Sequence, residues 1–295
     1  MSPDGASRPE DLPVGETPAS GAPVRMAFFG GLYSNYLALE IALADASARG
    51  ATELYCLGDL GAFGPHPDRV FPLLVDAGVR VIRGNYDDSI ARGLGDCQCG
   101  YTDPRDNHFA RLSYQYTLRN TAERWRAWMS HLPEQLLLEV DGHRVLLCHG
   151  SPRRTNEFLW ESTTSTQFLE HLADVYDADL IIGTHTGLHW ERKLSDGRRF
   201  VNAGVLGRPA NDGRTEVWYT MLTFAAKDRA KPAPSGETTP PLEVEFIPVS
   251  YDHERLAAEM RAERLPGEFI QTIQTGWWTS CLEVLPAKER RRGEF

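Results

Sequence analysis

Two stretches decide the fold: Leu57-Gly58-Asp59-Leu60-Gly61 and Arg83-Gly84-Asn85-Tyr86-Asp87. Each follows a short apolar run, Leu54-Tyr55-Cys56-Leu57 in the first case and Val79-Arg80-Val81-Ile82 in the second. Runs of this length, bounded by Gly and a polar residue, predict buried strands of an α/β sheet. The Gly-Asp and Gly-Asn pairs then stand at the C-terminal ends of those strands, where open sheets place their ligands. A carboxylate and a carboxamide brought together there are hard oxygen donors that suit Mn, Fe(II), Zn or Mg. Alone, each pair is more often a turn than a ligand. The residues downstream change that balance.

Working outward, Val24–Phe29 predicts a first strand ending at Gly30-Gly31, followed by a helix near 35–48. Strand 54–57, a helix near 67–76 and strand 79–82 come next. This alternation implies a parallel sheet with right-handed crossovers. From Asp88 to about Asn107 the chain is polar and loop-like, and helices are expected near 107–118 and 121–130. Residues 134–140 and 143–148 read as a hairpin around Asp141-Gly142,. The second of these runs ends on His149-Gly150-Ser151-Pro152. Helix 165–176 and strand 179–182 then lead to Gly183-Thr184-His185-Thr186-Gly187-Leu188-His189. A turn at Ser195-Asp196-Gly197 precedes Phe200–Gly207, and 217–224 with 242–248 reads as a strand pair.

Three regions follow from composition. Residues 1–23, rich in Pro, Gly and Ser without periodicity, read as a disordered tail,. Residues 24–250 form the main domain, interrupted by a Pro/Ala/Lys-rich mobile linker at about 226–241,. Residues 251–295 form a helical appendage packed on that domain, with helices near 252–264 and 266–274 and a Trp277-Trp278 pair placed to cap the core.

The chain has 295 residues, ordinary globular hydrophobicity and a net charge of −10. That charge argues against bulk nucleic acid or an anionic membrane as partner. It leaves room for a local basic pocket, and the expected partner is a small anionic molecule; self-association is left open. No run is long enough to span a bilayer, and residues 1–24 lack a secretory pattern, so a cytoplasmic protein is expected,. Five cysteines form an odd, sparse set, with Cys56 and Cys148 in predicted strands. This is the usage of a reducing compartment, not of a disulfide scaffold.

With these residues laid out, the order Gly-Asp, Gly-Asn-x-Asp, His-Gly-Ser-Pro, Gly-x-His resembles the calcineurin-like metallophosphoesterase superfamily. Its small bacterial phosphodiesterase branch is the nearest likeness. Leu57–Pro65, Cys148–Pro152 and Val201–Pro209 carry the resemblance, which covers roughly residues 24 to 260. It implies an α/β fold of two packed mixed β-sheets flanked by helices, a four-layer sandwich, and metal-dependent hydrolysis of a phosphomonoester or phosphodiester.

The departures from the family pattern are informative. The family's first strand ends in Asp-x-His, and both residues bind only the first of two metals. Here Gly31 and Tyr33 occupy those positions. The last motif is Gly-His-x-His; with one residue inserted in the turn, His185 takes the second-metal role and Gly187 falls where the first-metal His belongs. His189 is the alternative to His185. The resemblance thus implies a complete second-metal set, Asp59, Asn85, His149 and His185, and one divalent transition metal (Mn, Fe or Zn) with a second metal doubtful. Random decay would not divide the ligands so cleanly, which argues against a catalytically silent binding module.

Tyr86 replaces the family's protonating His and would act as a neutral phenol; with Tyr33 it is the expected catalytic side chain. Cys97 and Cys99 lie two apart in the following loop. They could reach the site as thiolate ligands favouring Zn or Fe, form a redox pair, or serve only the loop. Arg83, Arg153, Arg154 and Arg208 are candidates to hold an anion. Asp87 is expected to orient its loop rather than bind metal. A remodelled site running redox or lyase chemistry is the competing reading.

Overall fold

The computed structural model describes residues 14–16, 23–225 and 242–291. Its first strand, β1 (Val14–Glu16), pairs in parallel with Leu137–Glu139. This corrects part of the expected disordered tail, whose remainder lies outside the described residues, as does the expected linker 226–241. Chain order then gives β2 (Val24–Phe29), α1 (Tyr36–Ala48), β3 (Glu53–Cys56), α2 (Val70–Asp76) and β4 (Arg80–Val81). The helices α3 (Asn85–Arg92), α4 (Pro104–Asn120) and α5 (Glu123–Met129) follow. Next come the hairpin β5 (Leu136–Val140) and β6 (His143–Leu147), then α6 (Thr166–Val175) and β7 (Leu180–Gly183). The chain continues through β8 (His189–Lys193), β9 (Arg199–Ala203), β10 (Val217–Phe224) and β11 (Leu242–Val249). It closes with α7 (His253–Ala262), α8 (Gly267–Thr275) and α9 (Ala287–Arg290).

The strands form two mixed sheets, in the orders β11-β10-β2-β3-β4 and β1-β5-β6-β7-β9-β8. Period-two alternation builds the layers. Met26 and Phe28 of β2 face inward, with Tyr55 and Leu57, onto Val145, Leu147, Leu180, Ile182 and Val201 of the other sheet. Ala27, Phe29 and Cys56 face outward, beneath Leu39 and Ala42 of α1, Phe71 and Leu74 of α2 and residues of α7 and α8. Leu146, Ile181 and Phe200 pack under Leu169 and Leu172 of α6. The Val, Leu, Ile, Phe and Met side chains among these each contribute on the order of 1.5–3 kcal/mol by burial, so both sheets are held on both faces. The result is a four-layer α/β sandwich.

One expectation fails beside the motif. The stretch expected as a loop from Asp88 to Asn107 is helical at both ends. Gly84 is extended (φ −82°, ψ 172°) and its N–H donates to the Asp87 carboxylate at 2.8 Å, so a helix starts on Asn85 itself. It ends at Gly93, whose φ of +62° reverses the chain. Helix α4 starts early because Asp103 accepts from the Arg105 N–H at 2.7 Å and Pro104 suits the first turn,.

Candidate metal centre

The C-terminal ends of β3 and β4 in one sheet and of β6 and β7 in the other deliver the motif residues to one rim. Gly58 turns the chain after β3 with φ +89°, and a Cβ there would collide with the backbone of Gly84. Asp59 and His185 themselves adopt φ of +55° and +65°. Non-glycine residues held in this region are strained, and such residues cluster at functional sites.

Asp59, His149 and His185 are buried, and each offers a ligand atom within 4.8 Å of the others. The His149 Nδ1–H donates to the Leu57 carbonyl at 2.6 Å, because a carbonyl can only accept. That fixes the tautomer and leaves Nε2 with a lone pair. Nε2 lies 3.3 Å from Asp59 Oδ2 and 3.2 Å from His185 Nδ1. Asn85 donates from Nδ2 to the Cys97 carbonyl at 2.8 Å, while its buried Oδ1 has no partner among the described residues. Two imidazoles, a carboxylate and an orphaned amide oxygen make a donor set that fits a divalent cation.

Electrostatics agree with the geometry. Burial alone would push His149 down, but Asp59 and the bond to Leu57 hold it above its ordinary value. Burial and the facing His149 push His185 down to about 3. Burial opposes ionisation of Asp59, yet the two histidines hold its carboxyl below the usual range. Asp87 takes the N–H groups of Asp59, Leu60 and Gly84 at 2.8, 2.9 and 2.8 Å, tying the two motif loops together.

Other expected residues are placed differently. Tyr86 turns its hydroxyl to Ser113 Oγ (3.0 Å) and Thr117 Oγ1 (3.4 Å) of α4, and burial raises its phenol well above the ordinary value. His189 is not in the cluster: its ring packs between Trp218 and Phe246, at 4.5 and 4.7 Å, on the far side of the turn. Cys97 and Cys99 form a disulfide, so they are not a thiolate pair and the expectation of reduced cysteines fails for these two. With Cα atoms 5.2 Å apart, the turn at Gln98 (φ +52°) brings their sulfurs together,. Arg83 pairs with Glu134 and Asp88, and Arg153 with Glu157, while Arg154 is exposed.

Two aromatic rings cover Gly31 and Gly187. A Cβ on Gly31 would lie 2.6 Å from the Tyr33 ring, and one on Gly187 would lie 2.9 Å from Trp278. Tyr33 and Trp278 line one pocket with Asp59, His185, Phe158 and Arg208. Burial and the nearby Asp59 raise the Tyr33 phenol far above its ordinary value, so it is neutral. Sequence reasoning missed Phe158, whose ring lies 4.3 Å from His185, because a lone aromatic in a loop carries no spacing signal. It also missed Asn202, which donates to Thr184 O and Thr186 Oγ1 at 2.9 Å and steadies the His185 turn. Its place in Val201-Asn202-Ala203-Gly204 was the available signal.

A model of the calcineurin-like phosphoesterase superfamily domain matches residues 27–228. The chain belongs to this superfamily. It is 23% identical over 256 residues to an uncharacterised protein of Methanocaldococcus jannaschii, covering 82% of this chain and 93% of that one. A hypothetical protein of Pyrococcus horikoshii matches in structure with TM-score 0.69 and 22% identity, covering 87% of this chain and 100% of the other. A metallophosphoesterase from Sphaerobacter thermophilus gives TM-score 0.62 and 22% identity over 86% and 99%. At such identities these likenesses speak for the fold, which is that of the calcineurin-like phosphoesterases. No helix among the described residues is long and apolar enough to cross a membrane.

Proposed function

We propose that this calcineurin-like phosphoesterase hydrolyses a phosphoester with one divalent cation, Mn, Fe or Zn, held by Asp59, Asn85, His149 and His185. One observation carries the reading: His149 Nε2, His185 Nδ1 and Asp59 Oδ2 converge beside a buried Asn85 Oδ1 that has no partner among the described residues. A cation in such a site supplies Lewis acidity toward a phosphoryl oxygen and lowers the pKa of water. The rings over Gly31 and Gly187 support a single ion, since no carboxylate or imidazole stands at either position. Leu57 O orients His149, and Asp87 fixes the loops that carry Asp59 and Asn85. Tyr33, neutral and within the pocket, can donate a hydrogen bond to a bound oxyanion,. The substrate is a small anion, and the reaction belongs in the cytoplasm.

The test is hydrolysis of an aryl phosphomonoester and a bis-aryl phosphodiester by the full chain with Mn, Fe(II) or Zn. Turnover of either ester is expected, with Asp59→Asn lowering kcat/KM by about 10³-fold. Turnover no greater than that of the variant rejects the reading.

A further inference from the structure

Arg208 is 7% exposed, its Nε has no partner, and among the described residues no carboxylate pairs with it. A buried cation without counter-charge costs several kcal/mol, and folded chains keep such groups where a ligand supplies the missing charge. The guanidinium is held in place: its Cζ stands 3.2 Å from the centroid of the Trp278 ring and 5.5 Å from that of Phe63. Trp278 is fixed in turn, donating from its ring N–H to Pro209 O at 2.6 Å and from its backbone to Asn211 Oδ1 at 2.9 Å. Arg208 lines the same pocket as Asp59 and His185, beside the rings that cover Gly31 and Gly187. A fixed positive charge therefore lines the pocket of Asp59 and His185, stacked on the ring that covers Gly187. Part of the remaining wall is aromatic, with Tyr101 and Phe158 stacked at 5.7 Å and Phe158 against His185.

We propose that Arg208, stacked on Trp278, holds a phosphoryl oxygen of the substrate, and that the substrate is a phosphate ester whose aromatic group lies against Phe158 and Tyr101. The planar guanidinium suits two phosphoryl oxygens, and aromatic walls reward a flat apolar group by burial and stacking. This inference rests on the phosphoesterase reading above for its substrate class, though the anion site itself needs no metal.

Calorimetric titration of the full chain with phenylphosphonate, methylphosphonate and benzyl alcohol, metal-loaded and metal-stripped, tests it. Phenylphosphonate is expected to bind about tenfold or more tightly than either comparison compound, in both preparations. Arg208→Gln is expected to weaken phenylphosphonate by about tenfold or more, and Arg208→Lys to recover part of that loss. Phe158→Leu is expected to narrow the phenyl-over-methyl preference. Equal binding of phenyl- and methylphosphonate by wild type overturns the aromatic subsite, and equal binding of benzyl alcohol overturns the anion site; neither comparison depends on a variant folding. A folded Arg208→Gln chain that binds as wild type also overturns it. If esters are not hydrolysed yet phenylphosphonate binding depends on Arg208, the anion site stands and the hydrolase reading falls. If hydrolysis depends on Asp59 while Arg208 and the phenyl group make no difference, the hydrolase reading stands and this inference falls.

Discussion

Three backbone N–H groups converge on the Asp87 carboxylate, which makes it the joint between the Asp59 and Asn85 loops. Asp87→Ala would leave all three buried donors without an acceptor. It is expected to cost about 3 kcal/mol in denaturant unfolding, where an Asp87→Glu chain should retain part of the stability. His149 governs a second prediction. Its raised pKa means that, without metal, it gains a proton as pH falls through a value above 6.5, and a cation must displace that proton,. Metal affinity, measured by competition with a chelator, should be level on the alkaline side of the His149 titration and fall by up to about tenfold per pH unit on the acid side,. Affinity that rises on acidification would contradict this. At this scale the sequence was informative where polar residues ended apolar runs, as at Asp59, Asn85 and His149. It was silent on Phe158 and placed Trp278 only as a cap on the core; both reach the pocket through tertiary contacts between distant segments. The same holds for Tyr86: spacing placed it at the motif, but Ser113 and Thr117, which engage its hydroxyl, lie on α4.

Helix α3 shows how an element aims a site. Its first residue is Asn85, so the motif side chain leaves a rigid helical turn rather than a loop, and Gly84 before it presses against Asp59 and His149. A Cβ on Gly84 would collide with Asp59 Oδ1 and lie 2.9 Å from His149 Cε1. Gly84→Ala is therefore expected to weaken metal binding by about 10- to 100-fold, read by the same competition assay, with the far-UV circular dichroism spectrum retained. Strands with strong alternation and helices with flanking caps were readable in the sequence. The start of α3 was not, because Gly84 has no capping side chain and Asp87 supplies the acceptor from inside the helix. Strand β1 was unreadable for another reason: three residues are too few to show a period, and its pairing with β5 is a contact across more than a hundred residues,.

The molecule as a whole joins the two sheets through one inner apolar layer and closes the pocket with its C-terminal segment. Leu256, Met260, Phe269 and Ile273 are part of the same core as β2 and α1, while Trp278 and Leu285 join Trp160 and Leu188. A chain ending at Ser250 should then fail to fold cooperatively, seen as loss of a thermal unfolding transition; a stable, metal-binding truncated chain would contradict that. The overall architecture was legible because motif order and strand alternation each point to it. The stacking of Arg208 on Trp278 was not, since they are 70 positions apart and meet only in the folded chain. The proposed hydrolysis depends on a single cation gripped by Asp59, Asn85, His149 and His185. Metal content of the full chain, loaded with excess Mn and dialysed, is the most direct test. About one equivalent per chain is expected, lost in Asp59→Asn/His149→Ala. Two equivalents, or one that survives both substitutions, would contradict it.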